Sequence, residues 1–436
     1  VPFCGDAGRE LDQTYLRLAG LDRSDVFVTN CVQCRCERNG VDTKPGAALL
    51  ASCVLNHLPE EIWMVEPKVI VLAGATACSL VGGIDLELEH GFPRQVKDCA
   101  GLGGWSGWVV PMYHPAAALH EKRRSTYYTP LLEDWQRFGL WRKGQWHPPT
   151  RRTDINWLLG EDLSFKLILH ADEVKLSLLR GQYDYEMLPI DTESDEGRPY
   201  SIQYSPRPNG SYMILMENRL AIEEFARVFK GTWGSRAILH NALADLEPLE
   251  AAGAAPREYR DTMQELYALG NLPQGLKVAV YRIFGHRMTS YNEVVTPASK
   301  SALDNWLAEA LVYVSDNWKI ETAVQLKTKV RYETKPHPAE AVLRRVMGKL
   351  ADGSDYDPWR HPQWSKGEVT ERLIGREWLA DLEKAVGRMP RKSIVHAKLE
   401  DQVGYACSDA LWTGRLARWL EGERKRIVER EWKVAR

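Results

Sequence analysis

An α/β protein of two units is expected here, on three observations. Short β-rich runs ending in small or polar residues alternate with helical patterns over residues 1 to about 140. A polar, basic, proline-bearing stretch, RKGQWHPPTRRTD (142–154), then breaks the alternation as a linker. Beyond it come three strand-like runs, a helix and another strand, in that order.

The strands of the first unit are DVFVTN (25–30), KVIVLAG (68–74) and GWVVPMYHP (107–115). With 141–160 as the linker, the second unit opens on EMLPIDTES, followed by PYSIQYS and SYMILM joined across Pro208-Asn209-Gly210, a hairpin signal. A helix over Leu220–Phe229 and a strand, RAILHN (236–241), follow. Residues 300–392 are rich in Trp and charge with a mixed helical signal, and read as an insertion. No internal repeat or long low-complexity segment is visible.

Bulk properties narrow the function. A chain of 436 residues can hold two or three domains with real cores, and 44% hydrophobic with 27% charged residues is ordinary for a globular protein. The net charge of −2 makes no global demand for nucleic acid, so such a partner must be met by local basic patches; 319–349 and 415–433 are rich in Lys and Arg. No run approaches a membrane span and no secretory leader is visible, so a cytoplasmic protein without a membrane partner is expected. Five of the eight cysteines (Cys4, Cys31, Cys34, Cys36, Cys53) fall in the first 53 residues, which suits metal or cluster ligation better than disulfides. The chain starts at Val1 in a turn and stops at Arg436 inside a charged helical pattern, so it reads as a fragment of something longer.

Chemistry first shows in LPIDTESDEG (188–197), where an apolar run ends on two carboxylates. Strand side chains alternate, so Asp191 and Glu193 share a face, and two like charges there call for a cation between them. Alone, the pair reads first as a solvated strand end, since Asp-x-Glu is common by chance. Further on, Asn241 and Asp245 lie four apart at the start of a helix, as do Tyr405 and Asp409 in VGYACSDALWTGRLARWLEGE. Asn241 alone reads as an N-cap, and Asp409 as part of an exposed helix face. Taken together, four carboxylates on elements in this order can converge on hard divalent cations, Mg²⁺ or Mn²⁺. Two such ions about 3.5–4 Å apart stabilise both oxygens of an in-line displacement at phosphorus. Tyr405 is placed to orient an attacking water.

These residues carry a resemblance. Asp191-Thr192-Glu193, His240-Asn241-x-x-x-Asp245 and Tyr405-x-x-x-Asp409 resemble the three motifs of the DEDD-type 3′–5′ exonuclease, in the Tyr subclass of family A DNA polymerases. DTMQELYALGNLPQGLKVAVYRIFGHRMTSYNEVV (261–295) is similar to the stretch after the second motif, although about a hundred residues then intervene where many relatives have few. The resemblance implies a ribonuclease-H-like exonuclease domain over 161–436, interrupted by the insertion. It also implies two Mg²⁺ or Mn²⁺ ions on Asp191, Glu193, Asp245 and Asp409, with Tyr405 catalytic and Asn241 at the substrate. The substrate would be a DNA single strand or frayed 3′ end, with a polymerase domain in cis or a partner polymerase, in a bacterial or phage-infected cell.

A second resemblance covers the first unit. VPFCGDAGRELDQTYLRLAGLDRSDVFVTNCVQCRCERN, EPKVIVLAGATA (66–77) and YHPAAAL (113–119) resemble uracil-DNA glycosylases of the iron–sulfur class. Over 1–140 this implies a three-layer sandwich in which Phe3 stacks on a flipped uracil, Asn30 pairs with its edge and His114 donates to its oxygen. The plain readings are core for Phe3, a strand-end turn for Asn30 and an ordinary loop for His114. Cys34 and Cys53 match two cluster ligands, with Cys31 and Cys36 as alternatives because Cys-x-x-Cys-x-Cys leaves the register open. The family's water-holding Gly-Glu-Ala-Pro-Gly loop and first two cysteines have no counterpart here. A 4Fe-4S cluster is therefore expected only in the full-length protein, and base release by this chain is expected to be weak. The combined expectation is a DNA replication and repair protein: a proofreading-type exonuclease fused to a glycosylase-like domain. The alternative is an RNA-directed exonuclease carrying a non-catalytic uracil-sensing module.

Overall fold

The computed structural model describes residues 2–33, 37–38, 41–42, 46–119, 127–147, 163–181, 184–269, 273–326, 329–351, 358–359, 370 and 374–434. It has two compact units, Val1–Asp154 with Leu269–Arg287, and Ile155–Ala268 with Met288–Arg436. Of the expected linker at 141–160, residues 148–160 lie outside the described residues.

In the first unit, β1 (Val69–Ala73) pairs parallel with β3 (Trp105–Met112), and β2 (Arg94–Cys99) pairs antiparallel with the other edge of β3. The last four residues of β3 are all buried, as expected of a strand covered on both faces. Val109 packs with Val54 and Leu58 of the helix Ala47–Val65. Val110 and Met112 point the other way, onto Leu131, Trp135 and Phe138 of the helix Tyr128–Arg142. Helices therefore sandwich the sheet. DVFVTN corrects the reading of a strand: Val26 is extended (φ −129°, ψ 135°), but 26–30 form no ladder among the described residues. The segment and β1 both line a cleft of about 1520 Å³.

Residues 269–287, read from the sequence as part of the second unit, pack with the first. The helix Leu276–Phe284 brings Arg282 onto a buried charge cluster, where its Nη2 donates to the His90 carbonyl at 2.7 Å. Asp134 has no exposed surface; it accepts from His90 Nδ1 at 2.5 Å and Arg137 Nη1 at 3.0 Å, with Arg282 Nη1 at 3.9 Å. Gly91 (φ +77°) passes so close that a Cβ there would meet Asp134 Oδ1 at 2.2 Å, which excludes any other residue.

The second unit is built on a six-stranded sheet. β5 (Leu188–Asp195), β6 (Arg198–Arg207) and β7 (Gly210–Leu215) form an antiparallel meander, and β4 (Ser164–Leu167) lies parallel beside β7. β8 (Arg236–Leu239) is parallel to β5, and β9 (Glu258–Asp261) is parallel to β8, for a spatial order β9-β8-β5-β6-β7-β4. The helix Arg219–Thr232 lies between β7 and β8 in the chain, so three strands, a helix and a strand follow one another as expected. Leu188, Ile190, Ile202 and Ile214 of the sheet form one core with Ile222, Phe225 and Phe229 of that helix.

β5 and β6 join through Glu196-Gly197, both at positive φ (48° and 77°), the two-residue turn that matches strand twist. The expected insertion is helical with a hairpin. The helices Tyr291–Asn317, Pro338–Ala351 and Arg376–Val386 share a core of Leu303, Leu307, Val314, Leu343, Val346 and Leu382, and the strands Lys319–Leu326 and Lys329–Pro336 pair with each other. The helix Leu399–Val434 closes the unit. Arg415 on it corrects the reading of 415–433 as basic surface. It is 1% exposed, with Nε donating to Pro208 O at 2.8 Å and its guanidinium over the Trp412 ring. Among the described residues no helix is long and apolar enough to cross a membrane.

Candidate functional site

Three carboxylates meet beside β5 of the six-stranded sheet. β5 presents Asp191 and Glu193 on one face, and the helix Leu399–Val434 brings in Asp409, so that a carboxylate oxygen of each lies within 4.8 Å of the others. Anions this close favour a bound cation, and three carboxylate oxygens are the donor set of a hard divalent ion. Asp409 is 9% exposed, not part of an open helix face. One turn earlier, Tyr405 is also buried and hydrogen-bonds to Asp409. Burial, then Asp409, Glu193 and Asp191, push its phenol well above the ordinary tyrosine range, so it stays protonated.

Asp245 stands outside this group. It sits in the first turn of the helix Ala242–Ala251, and its Oδ1 accepts from both the amide and the hydroxyl of Thr192, at 3.0 and 2.8 Å. Thr192 points to the face of β5 opposite Asp191 and Glu193. Burial raises the Asp245 carboxyl to about 7 despite those two hydrogen bonds, with Asp261 pushing the same way. Asn241 begins the helix in the left-handed region (φ 65°) with its side chain exposed and making no cap. Asp261 takes the capping role, accepting from the Asn241 and Ala242 amides at 3.0 Å each.

The sequence reading missed Tyr291. Its ring meets that of Tyr405 edge-on at 6.0 Å, and burial followed by Glu193 and Asp195 raises its phenol. Nothing in its local pattern marks it: Ser290 and Glu293 form a capping box around it, an ordinary helix start.

In the first unit, Phe3, Asn30 and His114 all line the cleft below β1. His114 follows the end of β3, and its Nδ1 accepts the Ala116 amide at 3.1 Å. That bond leaves the ring proton on Nε2. Burial lowers the His114 pKa, so the side chain is a neutral N–H donor. Gly74 (φ +90°) lies behind it, where a Cβ would press on His114 Cβ at 3.0 Å. Phe3 stacks on His114 with ring centroids 5.0 Å apart and no gap for a base between them. Asn30 has an exposed side chain, and its carbonyl accepts from His57 Nε2 at 3.0 Å.

Cys53 lies on the helix Ala47–Val65, where its Sγ accepts the Gln33 amide at 3.4 Å. The electrostatic influence of Cys53 adds to burial in raising the Cys31 thiol. Cys34 and Cys36 lie outside the described residues.

Residues 1–136 match the family described as the Uracil DNA glycosylase superfamily. The chain is 34% identical over 121 residues to the Type-4 uracil-DNA glycosylase of Saccharolobus solfataricus, covering 27% of this chain and 54% of that protein. It is 32% identical over 124 residues to that of Sulfurisphaera tokodaii (27% and 53%). To that of Thermotoga maritima it is 34% identical over 124 residues (28% and 58%). The chain thus spans about half the length of the curated relatives it matches. With helices on both faces of a mixed sheet and the cleft at its edge, the N-terminal part of this chain is a uracil DNA glycosylase superfamily domain.

Proposed function

We propose that the chain acts on DNA at two places, reading uracil with the N-terminal domain and hydrolysing strand 3′ ends at the carboxylate site. The observation that carries the first reading is the neutral His114, its Nδ1 taken by Ala116 and its Nε2–H left to donate. A donor held in one tautomer is suited to an oxygen that gains negative charge as a glycosidic bond breaks. Asn30 would pair with the base edge and Phe3 would swing from His114 onto the base face. Cys34 and Cys53 would supply two of the ligands of an iron–sulfur cluster; an amide N–H on the Cys53 sulfur fits a ligating thiolate. The test measures release of free uracil and strand affinity together. Release that is lost in His114→Ala supports glycosylase action, whereas a uracil preference without release supports a sensing module. Neither release nor preference would sink the reading.

The second reading rests on the three carboxylate oxygens within 4.8 Å of one another. It draws support from a sheet in which, among the described strands, β6 alone runs against the rest, the arrangement expected of a ribonuclease-H-like exonuclease domain. Asp191, Glu193 and Asp409 would hold Mg²⁺ or Mn²⁺, which when bound neutralises charge at the phosphorus being attacked. Asp245 would act from the Thr192 side as a further acidic group, and Asn241 would face the strand. Tyr405, protonated and fixed by Asp409, would orient a water by its hydroxyl. A polymerase, in cis or as a partner in the cytoplasm of a bacterial or phage-infected cell, would supply such ends. Degradation of 5′-labelled strands with Mn²⁺, compared with EDTA and on matched DNA and RNA, tests this; no shortening from the 3′ end would overturn it.

A further inference from the structure

We propose that residues 387–398 form a fixed basic rail that binds the phosphate backbone of the strand whose end enters the carboxylate site, with Arg388 and Arg391 as its contacts. The inference builds on the nuclease reading of that site and adds how the strand is held. GRMPRKSIVHAK carries Arg388, Arg391, Lys392 and Lys398 within twelve residues.

Its position follows from its partners. The Arg388 guanidinium pairs with Glu196, and Arg391 Nε lies 3.8 Å from the same carboxylate. Ser393 Oγ donates to Asp195. Asp195 ends the strand that carries Asp191 and Glu193, and Glu196 opens the turn that follows it, three residues past Glu193. The cations therefore flank the carboxylates within reach of a neighbouring phosphate of the same strand.

The arginine–Glu196 pairs do not hold the segment in place. Trp306 Nε1 donates to Gly387 O at 2.8 Å and Trp359 Nε1 to Pro390 O at 3.3 Å. Ser299 Oγ both donates to Ser393 O at 3.2 Å and accepts the Ser393 amide at 3.1 Å. Met389 and Ile394 are buried, as Arg388 (65% exposed) and Arg391 (41%) are not. Exposed ion pairs add little to stability, so two arginines on a backbone already pinned by buried bonds are explained better by a ligand. That ligand is anionic and repeating. A site of acidic residues repels a polyanion unless fixed cations stand at its rim, and Glu196 aims two exposed guanidiniums there, the group that pairs with phosphate oxygens.

The test uses the full chain in EDTA, where no hydrolysis can occur, and a uracil-free strand of twenty nucleotides read by fluorescence anisotropy. The expected result for Arg388→Glu/Arg391→Glu is at least a tenfold weaker Kd at low salt. The slope of log affinity against log salt should shrink by about 1.4, roughly 0.7 for each lost phosphate contact. Arg388→Gln/Arg391→Gln, which adds no repulsion near Glu196, should weaken binding in the same direction and lose the same slope. Arg227→Glu, an exposed reversal on the helix Arg219–Thr232, serves as the control and should bind as the unaltered chain does. DNA and RNA strands should respond alike, since the contact is to phosphate; a response from RNA alone or DNA alone would overturn a backbone contact. Unchanged affinity and slope in the Gln pair would overturn the rail. Because binding is read without hydrolysis, a chain that binds through these arginines but never shortens a strand would sink the nuclease reading and leave the rail standing.

Discussion

Thr192 donates both its amide and its hydroxyl to one oxygen of Asp245, at 3.0 and 2.8 Å, and so ties the strand of the carboxylate pair to the helix behind it. The threonine between Asp191 and Glu193 faces away from them, and Asp245 is 2% exposed where the two elements meet.

Asp245→Asn keeps an acceptor for Thr192, so folding should survive. Asp245→Ala leaves the Thr192 donors without that acceptor and should cost about 1–3 kcal/mol in a urea melt. Equal melts for the two variants would show that the Thr192 bonds carry no stability.

The same carboxyl gives a pH dependence. Its folded pKa, raised to about 7 from 3.8, means the folded chain binds more protons than the unfolded chain between those values. Metal-free stability from this group is therefore fully present below pH 3.8 and lost as pH rises through about 7, flattening above. Asp245→Asn should remove that slope in melts taken from pH 5 to 8.

His90 and His114 act with the opposite sign in the first unit. Burial lowers both, so below the ordinary value of 6.5 the unfolded chain takes up protons that the folded chain refuses. Their contribution is present above pH 6.5 and is lost as pH falls, which urea melts taken above and below that value read.

Asp191→Ala and Asp409→Ala should each abolish metal-dependent hydrolysis. Asp191→Ala also relieves repulsion among the three carboxylates, so its metal-free Tm should hold or rise while the Tm gain on adding Mn²⁺ disappears. Undiminished hydrolysis in either variant would remove these residues from the chemistry.

Tyr405→Phe should slow hydrolysis without erasing it. One hydrogen bond to a charged group is worth about 1.5–3 kcal/mol, roughly a ten- to hundredfold change in rate. A rate equal to that of the unaltered chain would exclude water positioning by this hydroxyl.

Asn30→Ala should abolish any preference for uracil over thymine strands, a loss of about 1–3 kcal/mol from an unpaired base edge. Competition binding between otherwise identical strands reads this directly.

What could be read along the chain was whatever repeats over a few residues. The strand period put Asp191 and Glu193 on one face, the helix period put Tyr405 a turn from Asp409, and the ordered Phe3, Asn30 and His114 segments marked the glycosylase superfamily domain. Tertiary packing decided the rest. It brought Asp409 to the pair on β5, turned Asp245 onto Thr192, set Tyr291 against Tyr405 and buried Arg415. It also returned the helix Leu276–Phe284 to the first unit, where Arg282 meets Asp134, and left DVFVTN lining a cleft without a ladder partner among the described residues. The physical reason is the range of the forces: side-chain direction along one element follows from backbone geometry, whereas which faces meet depends on burial summed over residues far apart in the chain.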